Sequence, residues 1–283
     1  MTSASATPTL LTQRLQSIDA LRGLVILFML LDHVRETFFL HHQVGDPMDV
    51  SATPPDLFFS RLLAHLCAPV FVFLTGLSAW LYGAKAGDRG ATAAFLAKRG
   101  AFLIALEVIV VNFAWTFQFP PSVVYLQVIW VIGLSMLSLA ALLWLPRWAL
   151  VTVGVVLVAG HNALDAVHFA AGHAMHVPWA VLHDRGWIEV SDALRLRTSY
   201  PLLPWIGVIA LGYGLGPWFG RGSDAGERQH RLLVAGVVAP LVMHSTRWLA
   251  FASLAMMCVG LFSWMYLHRR WPEIGRTAHG GNA

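Results

Sequence analysis

The sequence predicts an all-α fold, a polytopic transmembrane helix bundle of about eight spans. Three observations carry that expectation. Of 283 residues, 57% are hydrophobic and only 12% are charged, with a mean hydropathy of +0.63. A soluble domain gives about a quarter of its residues to charge. Too little polar surface remains to coat a globule in water, so the bilayer is the solvent left. Apolar runs also recur at about the 20-residue length that a helix needs to cross the hydrocarbon core. Finally, Lys and Arg alternate in abundance between successive loops, as in a chain threaded back and forth through a membrane.

The spans fall in order at roughly 18–39, 57–82, 95–117, 123–145, 148–168, 201–219, 231–243 and 247–267. Pro69 is expected to bend the second, because it donates no amide and crowds the preceding turn. The fifth is apolar only to Gly160 and reaches crossing length by continuing into His161–His168. The seventh is short and carries Pro240. Residues 1–16 are polar and lack the apolar region of a cleavable signal, so the first span reads as an uncleaved signal-anchor. The organisation expected is a cytoplasmic tail at 1–16, a transmembrane domain at 17–268 and a second cytoplasmic tail at 269–283.

With the N-terminus inside, inner segments hold most of the basic residues, among them Arg14, Lys85, Arg89, Lys98, Arg99, Arg147, Arg269 and Arg270. Outer segments hold Arg35, Arg61, Arg185, Arg195, Arg197 and Arg247. This bias puts both termini in the cytoplasm and the chain in the inner (plasma) membrane. The same orientation sorts the histidines: ten fall on or near the outer side, and only His230, His268 and His279 lie inside. Folding alone does not require that asymmetry, which points to an outward-facing site.

Some function classes drop out. The net charge is +4, but the basic residues are scattered between apolar runs rather than interleaved with aromatics in a stripe, which excludes nucleic acid. Cys67 and Cys258 lie in apolar runs with no partner near in sequence, so no disulfide framework or zinc site is readable. His168, His173 and His176 sit in a loop with Gly172 and Pro178 and read as solvated; no metal is expected. Tryptophans near span ends read as an interfacial belt.

Ionisable groups inside a membrane are costly and tend to face the bundle interior. In the first span Asp19 and Arg22, spaced i,i+3, can pair on one face; alternatively, Arg22 meets a phosphate entering from the cytoplasm. At the other end His33 shares a face with Glu36, and Asp32 with Arg35. A carboxylate beside an imidazole orients the ring and supports its protonated form, the minimal general-base unit. His65 lies in the outer half of the second span. Glu107, deep in the third, has no charged neighbour on its helix and must find a partner on another or stay protonated. Asn112, Tyr125 and Gln127 add polar groups in the outer half. His161 and Asp165, spaced i,i+4, form a second His–carboxylate pair at the depth of the first. Two such pairs on different helices predict a shared wet cavity.

These residues also carry a resemblance. Ser17-Ile18-Asp19-Ala20-Leu21-Arg22-Gly23, followed by Met29 and Asp32-His33, resembles the opening of the heparan-α-glucosaminide N-acetyltransferase catalytic-domain family, including its bacterial members of unknown substrate. Further matching blocks are His65 to Gly76, Lys98-Arg99-Gly100, Gln127 to Gly133, His161 to Asp165 and Tyr200 to Trp205. They cover roughly residues 14–220. The resemblance implies a membrane acetyltransferase that takes acetyl-CoA from the cytosol and passes the acetyl group to an amino sugar or similar glycan acceptor on the far side. Arg22, Lys98 and Arg99 would hold the CoA phosphates. His33 with Asp32 and Glu36, His65, and His161 with Asp165 would supply the acid–base chemistry. Asn162 and Gln127 would stabilise the oxyanion, and Glu107 and Tyr200 would line the substrate path. The partners expected are the lipid bilayer, acyl-CoA, an extracytoplasmic glycan and, as a homodimer, a second copy of the chain. Residues 231–267 resemble only a compressed remnant of the family's later helices, so the chain reads as shortened at its C-terminus. Two other readings stand beside this one. One is a proton-coupled transporter using Glu107 and the His–Asp pairs; the other is a shortened, non-catalytic membrane subunit.

Overall fold

A computed structural model describes residues 16–38 and 53–220, with a few positions between 226 and 234. The described chain is mostly helical. Helix α1 (Gln16–Phe38) is followed by α2 (Pro55–Ala64) and α3 (Cys67–Ala86). The break between α2 and α3 falls at His65-Leu66, four residues ahead of the point where Pro69 withholds its amide from the His65 carbonyl. Gly87, at φ 70°, closes α3. Asp88 then caps α4 (Arg89–Ala105) by accepting from the amides of Gly90 at 3.0 Å and Ala91 at 2.7 Å. Helix α4 runs through a π-helical turn, Leu106–Val111, into the short α5 (Asn112–Thr116).

The chain then re-enters the bundle as β1 (Val123–Leu126), from which α6 (Val128–Leu142) sets out. Next comes α7 (Arg147–Gly160), which tightens into a 3₁₀ turn at His161–Leu164. A loop bearing α8 (His176–Leu182) and the hairpin β2 (Gly186–Ser191) and β3 (Leu194–Thr198) leads to α9 (Leu202–Gly214) and a final 3₁₀ turn, Gly216–Phe219. Strand β3 lies central in the sheet, parallel to β1 and antiparallel to β2.

The most extensive helix pairings are α3 on α9, α4 on α6 and α7 on α9, and α6 packs on α9 to join them. Each of the first three is drawn close by glycine. A β-carbon on Gly76 would sit 2.1 Å from the Ile209 carbonyl oxygen, and one on Gly212 2.1 Å from that of Phe73. Gly100 and Gly133 face each other's carbonyls in the same way, at 2.6 and 2.7 Å, and Gly207 meets that of Gly154 at 2.8 Å. Small residues that let backbones touch are the usual means of helix association where lipid, not water, surrounds the bundle. The buried apolar residues between the helices include Leu77, Leu96, Leu139, Leu150 and Ile209.

Outward, the same helices stay apolar. Leu24, Leu27, Leu30 and Leu31 on α1 and Val155 and Val156 on α7 are exposed. Trp144 and Trp148 are exposed where α6 gives way to α7. Two segments, Cys67–Ala86 and Arg147–Leu164, are long and apolar enough to cross a membrane, while α6 and α9 are apolar but shorter.

The structure corrects the all-α expectation. Residues 123–126, placed at the head of a fourth span, form a strand, and the loop at 169–199 contains a helix and a hairpin. The alternation in Trp187-Ile188-Glu189-Val190 and Leu194-Arg195-Leu196-Arg197-Thr198 has the period of two that a half-buried strand requires. Accordingly Ile188 and Thr198 are buried while Trp187 and Glu189 face outward. Most of the span expected at 231–243, all of that at 247–267, and the tails at 1–15 and 269–283 lie outside the described residues.

Candidate functional site

Where α1 and α7 finish and α3 and α9 begin, the helix ends line an open cavity of about 740 Å³. That is in the range of small-molecule sites, about 300–1,000 Å³. Its apolar floor includes Phe73, Val158, Val208 and Leu211. Its polar wall includes Asp32, Arg61, His65, His161, Asn162, Asp165, His168, His183, Asp184, Arg185 and Tyr200.

Asp32 anchors one side. It is buried, and its two oxygens accept from Arg35 at 2.7 Å and Arg61 at 2.9 Å, which ties α1 to α2. Charge-assisted bonds of this length are the strong ones. On α2, the Arg61 carbonyl lies 2.7 Å from His65 Nδ1. A carbonyl only accepts, so Nδ1 carries a proton, and in the neutral ring Nε2 keeps its lone pair. His161 repeats the arrangement, with Nδ1 3.0 Å from the Val158 carbonyl. The cavity therefore holds two imidazoles fixed in the tautomer that leaves Nε2 basic.

The opposite wall is a chain of histidines and carboxylates. His183 is buried, its Nε2 2.9 Å from the His161 carbonyl and 3.4 Å from Asp165 Oδ1, its Nδ1 3.3 Å from Asp184 Oδ1. The second Asp184 oxygen is 3.1 Å from His168 Nδ1. Burial by itself would raise the Asp184 carboxyl, but hydrogen bonds from His168 and His183, and their charges, outweigh it and hold the group below its ordinary value. Burial pushes the Tyr200 hydroxyl upward, only partly offset by the guanidiniums of Arg61 and Arg185, so Tyr200 enters the cavity as a neutral phenol. Two buried polar atoms of lining residues, Asn162 Oδ1 and Trp205 Nε1, have no hydrogen-bond partner. One accepts and the other donates, which suits a ligand offering a hydroxyl or amide of its own.

Of the residues expected at the site, the structure brings Asp32, His65, His161, Asn162, Asp165 and Tyr200 together at this cavity. It does not bring His33 there: the ring is exposed, one position round α1 from Asp32. The Glu36 side chain lies outside the described residues. Glu107 and Gln127 meet elsewhere. Glu107 is buried, and its carboxyl group faces the backbone amides of Gln127, Ile129 and Trp130 at the start of α6. The group facing Glu107 is therefore backbone at a helix start rather than a cation. Asn112 binds the same re-entrant segment, donating to the Val123 carbonyl at 3.2 Å and accepting from the Tyr125 amide at 3.1 Å.

The cations expected to meet CoA stand apart from the cavity. Arg22 pairs with Asp19 at 3.2 Å and donates to Ser78 on α3, a clamp between helices. Lys98 and Arg99 are exposed on α4, with Arg99 over the Phe95 ring. Among the described residues no group of three or more His, Cys, Asp or Glu side chains is arranged to hold a metal ion. His183, Asp184 and Arg185 were not singled out by the sequence reading, and the adjacent His-Asp-Arg in the outer loop was the one available signal.

Apolar helices joined through glycine surround a cavity that His65 and His161 line, in a mostly helical protein with two segments long and apolar enough to cross a membrane. The model of the family described as heparan-alpha-glucosaminide N-acetyltransferase, catalytic, matches residues 14–254, and the chain belongs to that family. Family members are membrane-associated acetyltransferases with acetyl-CoA as donor, which suggests an acetyltransferase-like function here. No curated protein matches the chain, and no solved structure matches it.

Proposed function

We propose that the protein is a multi-pass enzyme of the inner membrane, crossing about eight times with both termini in the cytoplasm. It transfers acetyl from cytosolic acetyl-CoA to an amine or hydroxyl of an extracytoplasmic amino sugar or envelope glycan. The observation that carries this reading is the pair His65 and His161 in one cavity, each with Nδ1 tied to a backbone carbonyl and Nε2 without a hydrogen bond among the described residues. One of these imidazoles removes the acceptor's proton, a contribution of about 10²–10⁴-fold. The nitrogen or oxygen so freed attacks the thioester carbonyl. The C–S bond then breaks, and the departing thiolate takes up a proton as CoA. Asn162, Tyr200 and Trp205 bind the acceptor or the developing oxyanion. Asp32 holds Arg61 and with it the start of the cavity.

Lys98 and Arg99 are the exposed cations proposed to meet the CoA phosphates. Arg22 is less free to do so, being committed to Asp19 and Ser78. The test is a sided one. Purified protein in proteoliposomes is given radiolabelled acetyl-CoA on the face bearing Lys98 and Arg99, with glucosamine on the other. Labelled N-acetyl product on the glucosamine side supports the proposal. CoA that neither binds nor is turned over defeats it.

A further inference from the structure

The 3₁₀ turn His161–Leu164 presents both His161 and Asp165 to the cavity, yet little within the turn itself makes it firm. It is four residues long, follows Gly160, and has no side-chain cap. Short 3₁₀ turns have poor hydrogen-bond geometry and depend on their surroundings. What grips this one comes from a loop more than twenty residues later. His183 Nε2 donates to the His161 carbonyl at 2.9 Å, with Asp165 Oδ1 at 3.4 Å. Its ring is stacked on Trp179, centroids 5.2 Å apart and 17° from parallel. Trp179 in turn donates from Nε1 to the Val167 carbonyl at 2.7 Å, just beyond the turn. Asp184 completes the circuit by holding His183 Nδ1 with one oxygen and His168 Nδ1 with the other.

We infer that His183 is a positioning residue: it locks the turn that aims His161 and Asp165 into the cavity, and Asp184 locks His183. The inference rests on the acetyltransferase reading for its kinetic consequence, but not for its structural one. His183 lines the cavity, but one face is covered by indole and its two ring nitrogens are engaged by the His161 carbonyl and Asp184, so it acts through the His161 backbone rather than as the base. A base displaced by about 1 Å can cost about 10²-fold in rate. Fixing a soft turn is therefore a catalytic matter even for a residue that touches nothing reacting. The charged and titratable groups facing His183 are Asp165 from the turn and His168 and Asp184 from the loop, with Asp32, Arg61, Arg185 and Tyr200 lining the same cavity.

The experiment compares wild type with His183→Ala, His183→Gln and Asp184→Asn in nanodiscs, by two readouts. In acetyl transfer, H183A is expected to lower kcat about 10- to 100-fold with the KM for acetyl-CoA unchanged. H183Q should recover most of that loss, since its amide can donate to the same carbonyl, and D184N should fall between. In the second readout, the rate at which diethyl pyrocarbonate modifies His161, followed by mass spectrometry, should rise in H183A and D184N and return toward wild type in H183Q. Should H183A fail to fold, H183Q and D184N carry the comparison. Unchanged kcat and unchanged His161 reactivity in D184N and H183A would overturn the inference, as would a loss confined to KM. Wild type without transfer activity would defeat the acetyltransferase reading alone, and the His161 reactivity would still decide the positioning role.

Discussion

Replacing Gly76 by alanine tests whether the bundle is held by backbone contact between α3 and α9. The added methyl would stand 2.1 Å from the Ile209 carbonyl oxygen, 2.9 Å from the Tyr213 amide nitrogen and 3.0 Å from the Ile209 carbonyl carbon. Carbon and oxygen rest in contact at about 3.3 Å, so one helix must retreat by about 1 Å. All three obstacles are main chain, which cannot swing aside as a side chain would. The reciprocal site, Gly212 against the Phe73 carbonyl, means that the interface has no slack one turn away. Overpacking costs about 1–3 kcal/mol, and this case belongs at the upper end. For a chain of this size about 3 kcal/mol lowers Tm by roughly 6–12 °C. Transfer activity should fall as well, because Phe73 on α3 and Val208 and Leu211 on α9 form the cavity floor. Gly23→Ala on α1 is the control. Nothing lies within 4 Å of a β-carbon there, and alanine gains up to about 1 kcal/mol of helix propensity. Thermal unfolding in detergent decides the matter. Gly76→Ala as stable as wild type, or no worse than Gly23→Ala, would refute the backbone-contact picture.

Three further outcomes are expected. Asp32→Asn leaves Arg35 and Arg61 facing each other without an anion and should cost about 2–3 kcal/mol, less than a fully buried pair because Arg61 is partly exposed; chemical denaturation in micelles measures it, and adding Arg61→Gln should recover part of the loss. Asn112→Ala removes two hydrogen bonds to β1 and strands the Val123 carbonyl and Tyr125 amide, costing about 2–4 kcal/mol, and hydrogen exchange should quicken at Tyr125 before elsewhere in the sheet. The folded state holds Asp184 below its ordinary value, so the stability it contributes is fully present above the unfolded value of about 3.9 and is lost as pH falls through the lower, folded value. Tm should therefore drop with acidification below about pH 4 in wild type, and this component should vanish in Asp184→Asn.

Much of this architecture was legible in the sequence, and the exceptions have physical causes. The apolar runs located α1, α3, α4, α7 and α9 because each must bury or expose hydrocarbon along its length. Which face of α1 turns inward was not legible, since Leu24, Leu27, Leu30 and Leu31 make the helix apolar even where it is exposed. A rotation of one residue exchanges His33 for Asp32 at the cavity, and nothing in the pattern opposes it. For Glu107 the sequence leaves either a partner on another helix or a retained proton, and it does not reveal the backbone amides that face this group, because a helix start carries no signature in side-chain identity. His183 escaped notice because its partners, the His161 carbonyl and Asp165, are near only after the loop folds back. The hairpin was overlooked despite its alternating residues, since its two strands fall within a loop assigned to solvent. Several blocks that resemble the family, such as Lys98-Arg99-Gly100 and Gln127 to Gly133, meet one another through Gly100 and Gly133, so part of that likeness reflects helix packing and not chemistry.

The account turns on two imidazoles sharing one cavity, each with an Nε2 that has no hydrogen bond among the described residues. Single-turnover transfer from radiolabelled acetyl-CoA, followed in wild type and in the double variant His65→Gln, His161→Gln, addresses that claim directly. Transfer by wild type and a drop of at least about 10²-fold in the double variant, with CoA binding retained, is the expected result. Equal transfer by the two proteins would contradict it.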